Sequence, residues 1–310
     1  MRRKGIALLI TIAFVTAIAA LIAVAGGVLN KGFAHASEKA FAVQSNVLLS
    51  DIYTLLRQNS KDINTSDGLD IFLSVPLFFE NKERGIMADI SFNSDAARVN
   101  VNKLLADRNT SRAANPDEPL RYRTAYEEYF ERILTVYNVS DTILLISMIA
   151  DTIDDDLTER APGSEIALQD PDFTQGHIFN MRHFRQILDA YKKATLDYSV
   201  DDIPWDTLIG FRNDSVDFNH ISPDVLRFMD PTIDEGTVAE LTTERIDLFS
   251  AFTQMPLTPE SSKLLQDMNV TFYSPLVVGK MNIIGDKHKV TYTFAYDLST
   301  QKVSDFAVAD

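Results

Sequence analysis

The sequence predicts an α+β protein: a long N-terminal transmembrane helix, then a small antiparallel sheet that carries a large helical insertion. Three observations predict it. Ile6 to Leu29 is a 24-residue run without a charge. Through the middle of the chain, aromatic and aliphatic residues recur at three- and four-residue intervals. After Val270 the pattern changes to alternating or apolar runs separated by turn residues. Composition agrees with a folded chain, since 45% of 310 residues are hydrophobic and 24% charged, which excludes wholesale disorder. The balance of 29 Lys and Arg against 44 Asp and Glu leaves a net charge of -15, so the surface repels a phosphate backbone and argues against nucleic acid as a partner. No cysteine occurs, which removes disulfides, thiolate metal sites and cysteine nucleophiles and leaves the redox compartment open.

The first element follows from length. As a helix, 24 residues reach about 36 Å, against about 30 Å of hydrocarbon in a bilayer. Arg2, Arg3 and Lys4 precede the run, which keeps the N-terminus cytoplasmic and sends the acidic body across the membrane. A secretory signal cleaved after Ala34-His35-Ala36 is the alternative, but its apolar core should be about 7–15 residues. Beyond the run, Phe41, Leu48, Ile52 and Leu55 stay on one helical stripe. One helix from Ile6 to about Arg57 is expected, half in lipid and half packed on a soluble domain.

Asp70–Glu80 and Gly85–Asn93 read as two strands around the polar turn Asn81-Lys82-Glu83-Arg84, with Pro76 making the first an edge or bent strand. From Asp117 the pattern is helical, with Tyr122, Tyr126, Tyr129, Phe130, Ile133, Leu134 and Tyr137 on one face. Ser140 reads as the N-cap of a buried helix through Ile149. Further helices are expected at Asn180–Leu196, Ser222–Met229 and Thr237–Ser250. Four strands follow, at Val270–Val277, Gly279–Ile284, Lys289–Tyr296 and Lys302–Val308, with Gly285-Asp286 and Asp297-Leu298-Ser299 as turns.

The chemically loaded segment runs from Asp151 to Asp172. It holds eight acids against one base, Arg160, a local charge of -7 in 22 residues. Such a cluster repels itself unless solvated or neutralised. Calcium, which takes six to eight oxygen ligands, is one neutraliser, and a solvated acidic loop is the other reading. No EF-hand pattern is present.

Arg2-Arg3-Lys4-Gly5 followed by Ile6-Ala7-Leu8-Leu9-Ile10 resembles the type III signal of type IV pilins and pseudopilins, which are cleaved between the residues matching Gly5 and Ile6. Those subunits usually carry a glutamate at the position of Ile10, and an apolar residue there is a mark of K-type minor pseudopilins. Arg98 to Leu105 (RVNVNKLL) resembles that family's K-I-N-L-N segment, and Val216 to Leu226 (VDFNHISPDVL) its I-N-V-N-T-A-x-P-E-V-L segment. Ala150 to Asp156 followed by Gly163-Ser164-Glu165 resembles its D-W-I-D-x-D…G-x-E stretch, with Thr152 in place of tryptophan. The chain thus resembles the general secretion pathway protein K family over nearly its whole length.

The resemblance implies a leader over 1–5, a transmembrane and pilin α1 helix over 6–57, and a pilin-like domain at 58–97 and 256–310 interrupted by an inserted helical domain at 98–255. It implies no enzyme activity, and a subunit capping the tip of the type II secretion pseudopilus. Its partners would be minor pseudopilins of the I and J types, prepilin peptidase and the bacterial inner membrane, with the soluble part in the periplasm. It also implies calcium in the helical domain, carried over to Asp154, Asp156 and Glu165 with Asp151 and Asp155 as further candidates.

Other features argue for little. The five histidines include no i,i+4 pair, and the glycine patterns of phosphate-binding loops and serine hydrolases are absent. Trp205, the one tryptophan, reads as a core anchor. Asn64, Asn109 and Asn269 head glycosylation-type triplets with an aspartate two residues earlier. Asn219 to Leu226 also resembles half of a helix-hairpin-helix, the basis of a DNA-uptake alternative, but acids stand at 230, 234 and 235 where a glycine hairpin should meet phosphate. A signal-anchored periplasmic protein of another activity is the third reading.

Overall fold

A computed structural model describes residues 38–81, 85–106, 120–285 and 288–309. Gly5, Ile6, Ile10, the apolar run, Ala34-His35-Ala36 and Asn109 lie outside these residues. Among the described residues no helix is long and apolar enough to cross a membrane.

The first described helix, α1, covers 38–63, six residues past the expected end. Phe41, Leu49, Ile52, Leu56 and Ile63 form its buried stripe. At about 1.5–3 kcal/mol per large apolar side chain removed from water, this stripe is what holds the helix to the sheet.

That sheet has five antiparallel strands in the order β1 (Leu77–Asn81), β2 (Ile86–Ser94), β7 (Leu276–Ile284), β8 (Lys289–Asp297) and β9 (Lys302–Ala309). β2 alternates strictly between buried and exposed, so Ile86, Ala88, Ile90 and Phe92 face α1 together with Met281, Ile283, Tyr292 and Phe294.

Between β2 and β7 the chain leaves the sheet to build a separate helical block and returns. Ser94 lies opposite Val277, so the block occupies the place of a hairpin loop. Its helices are α3 (Thr124–Val136), α4 (Thr142–Ile153), α5 (Met181–Thr195), α6 (Trp205–Leu208), α7 (Pro223–Met229), α8 (Glu235–Leu241) and α9 (Pro259–Asp267). They share a second core that includes Tyr126, Phe130, Ile149, Phe184, Leu226 and Met229. Trp205 is part of it, 5% exposed, with its indole N–H on the Val200 carbonyl and its ring edge-on to Phe184.

Several expectations are corrected. Residues read as the first half of a strand, Asp70–Ser74, belong to helix α2 (Ser66–Ser74). Thr65 caps that helix by accepting from the Gly68 N–H, and Pro76 then forces Val75 into the extended region and delays the strand to Leu77. The expected strand at Val270–Val277 is split. Its start is β6 (Val270–Thr271), paired in parallel with β5 (Val216–Asp217), while its end joins β7. Leu265, Met268 and Val270 pack in the helical core, so the block runs to about 271 instead of 255. α8 stops at Leu241, where a helix had been expected to continue to Ser250. Asp141, not Ser140, caps α4 by accepting the Leu144 N–H, while the Ser140 hydroxyl faces the Tyr191 hydroxyl.

Candidate functional site

α4 is buried from Leu145 to Thr152 and ends by delivering two acids to one place. Asp151 lies in its last turn and Asp154 is its C-cap, three residues on and on the same side. A helix C-terminus carries partial negative charge, so two carboxylates there are unfavourable without a cation. The chain then turns back through 155–164. The Gly176 N–H donates to the carbonyls of Thr152 and Asp154 and closes the helix end.

Arg160 supplies the cation. Its Nε lies 2.9 Å from Asp151 Oδ1 and its Nη2 lies 2.7 Å from Asp154 Oδ2, with all three side chains less than a tenth exposed. Nη1 donates to the Leu120 carbonyl at 2.8 Å, and the guanidinium lies 5.2 Å from the centre of the Tyr122 ring. Asp151 Oδ2 also accepts from the Ser164 hydroxyl and the Arg160 backbone N–H. Glu165, 1% exposed, accepts through Oε1 from the Ala167 N–H and from Gln175 Nε2 at 2.6 Å.

Two buried aspartates therefore share one arginine, and the third buried carboxylate, Glu165, is held by neutral donors alone. Burial pushes the Glu165 carboxyl up to about 7, and the charges of Asp151, Asp154 and Asp156 add to the effect. Asp154 is pushed up to about 6 for the same reasons, against the pull of Arg160, and Asp151 is raised as well. Asp156 is half-buried and accepts the Thr158 N–H, while Asp155 is exposed.

Of the five residues carried over as calcium ligands, Asp151, Asp154 and Glu165 are thus buried together, Asp156 borders them, and Asp155 stands outside. The donor set does not suit that ion. Among the described residues no three acidic or histidine side chains converge as a metal cage would. The buried side-chain oxygens of these acids left without a hydrogen bond or a guanidinium contact are Asp154 Oδ1 and Glu165 Oε2, so calcium would have to draw the rest of its six to eight oxygens from water, backbone carbonyls or the carboxylates that Arg160 holds.

Two further arrangements were not legible as sites in the sequence. The first is a repeated backbone clamp. Asn100 accepts the Asn102 N–H, and Asn102 holds the Ile178 N–H and the carbonyls of Ile178 and Phe211. Asp217 likewise accepts the Asn219 N–H, and Asn219 holds the Phe249 N–H and the carbonyls of Phe249 and Phe272. The signal was the shared pattern Val-Asn-Val-Asn and Val-Asp-Phe-Asn, whose alternation places Val99, Val101, Val216 and Phe218 in the core. The second is Asp95, just after β2, which is fully buried between Arg98 and Arg212; Arg212 also pairs with Asp305 of β9.

A helix laid along an antiparallel sheet, with a helical block opening the β2–β7 connection, defines a composite α+β class in which the block is inserted into a smaller helix-on-sheet domain. A chain of the crystal structure of the GspK–GspI–GspJ complex, from the type 2 secretion system of enterotoxigenic Escherichia coli, shares this fold. The match has a TM-score of 0.60 over 87% of the present chain and 97% of that one, at 12% sequence identity. No family model matches the chain, and no curated protein does.

Proposed function

We propose that this chain is a K-type minor pseudopilin of type II secretion, which caps the pseudopilus tip and starts filament assembly with I- and J-type partners. The observation that carries the reading is the fold likeness across nearly the whole length of both chains, the helical block included. Two features of the sequence support the tip position. Ile10 stands where a filament subunit carries the glutamate that meets its neighbour, and a block of this bulk obstructs any subunit stacked above it. The apolar run from Ile6 and the basic residues before it suit an inner-membrane anchor with the body in the periplasm. The role is structural, and export of folded proteins is the process it serves.

The test is the N-terminal residue of the membrane-extracted protein, by mass spectrometry, from a host with a prepilin peptidase. A chain beginning at Ile6, methylated on its amine, is the expected result. One beginning at Met1 or after Ala36 overturns the proposal.

A further inference from the structure

The sequence resemblance implies calcium in the helical block, and the block has put something else in its place. Arg160 is committed on every side. Nε and Nη2 face Asp151 and Asp154, Nη1 is bound to the Leu120 carbonyl, and Tyr122 covers the guanidinium. A divalent ion between the same two aspartates would have to displace it, since two cations at that separation repel and the guanidinium already holds one oxygen of each aspartate.

The geometry points to Arg160 as the resident cation of the acidic pocket, so that the helical block of this chain folds and holds its shape without calcium. A guanidinium is charged at every accessible pH and no chelator removes it. The pocket thereby exchanges a ligand drawn from the surroundings for a covalently attached one. The inference rests on this fold and not on the tip function, and it stands or fails apart from the processing of the N-terminus.

Trp205 makes the test direct, because the one tryptophan of the chain lies inside the core of the helical block. Thermal unfolding of the full chain in detergent, followed by tryptophan fluorescence, should give the same Tm in excess EDTA and in millimolar calcium chloride. A Tm raised by calcium overturns the inference. Arg160→Met keeps the bulk and removes the charge, and it should lower the Tm by about 10 °C, because the buried Asp151 and Asp154 lose their counter-charge. An unchanged Tm in that variant also overturns it. Arg160→Lys retains a charge without the fork and should fall between the two, still indifferent to calcium. If the methionine variant fails to fold, the EDTA and calcium comparison on the natural chain decides alone.

Discussion

Asp95 and the pocket formed by Asp151, Asp154 and Glu165 are both carboxylate centres withdrawn from water, and they are balanced in opposite ways. At Asp95 one acid meets two arginines, and the surplus positive charge is passed outward through Arg212 to Asp305 at the sheet edge. In the pocket Arg160 meets Asp151 and Asp154, and Glu165 beside them is held by the Ala167 N–H and Gln175, both neutral. The first arrangement is a joint, tying the start of the helical block to the last strand of the sheet. The second is a site under charge stress, where desolvation and mutual repulsion raise the carboxyl groups. The difference teaches that burial of an acid is stabilising only when the cations around it match its charge.

The comparison can be broken most forcefully at the joint. Asp95→Ala leaves Arg98 and Arg212 facing each other at the root of the block without their common partner. It should cost about 3 kcal/mol in urea unfolding. A loss no larger than that of an exposed substitution would mean that the two arginines find other partners.

The pocket sharpens the comparison through pH. A carboxyl raised above its unfolded value destabilises the fold when ionised. For Glu165 the penalty is complete above about 7 and fades as pH falls toward the ordinary glutamate range. Stability of the helical block, read by Trp205 fluorescence, should therefore rise from pH 8 to pH 5, a window in which an ion-paired acid, titrating below the ordinary range, would leave it flat. Glu165→Gln should stabilise the block at the alkaline end by roughly 2 kcal/mol and flatten the profile. A steeper profile in the variant would place the titration elsewhere. The smallest effect is expected at the exposed end of the joint, where Asp305→Ala should change stability by less than about 1 kcal/mol in the same denaturant assay.

Much of the fold was legible because it rests on local physics. The aromatic stripe of α3 and the Asn180 cap of α5 are stated by the residues that perform them. The Val-Asn alternation at 99–102 and its counterpart at 216–219 put apolar side chains inside and short polar ones on backbone. α2 was misread because Asp-Ile-Phe-Leu-Ser is as apolar as a strand, and the Thr65-Ser66-Asp67 cap before it was the overlooked signal. The break at Val270 was illegible, since β6 exists only through pairing with β5, more than fifty residues earlier. At the candidate site the sequence showed an acid excess with one base among the acids. It did not show that Arg160 folds back beneath α4, which depends on where that helix stops and how the next ten residues turn. Asp95, Arg212 and Asp305 are scattered along the chain and nothing local joins them.

The placement of the helical block between facing ends of β2 and β7 has a mechanical consequence. A thrust delivered along α1 enters the sheet through Phe41, Leu49, Ile52, Leu56 and Ile63 and spreads as shear across five strands. The block is joined to that path by two backbone crossings beside Ser94 and Leu276 and by side-chain ties such as Arg212 to Asp305 and Arg245 to Asp70. Any load carried along α1 would therefore reach the block through these covalent and ionic links and not through a shared apolar core.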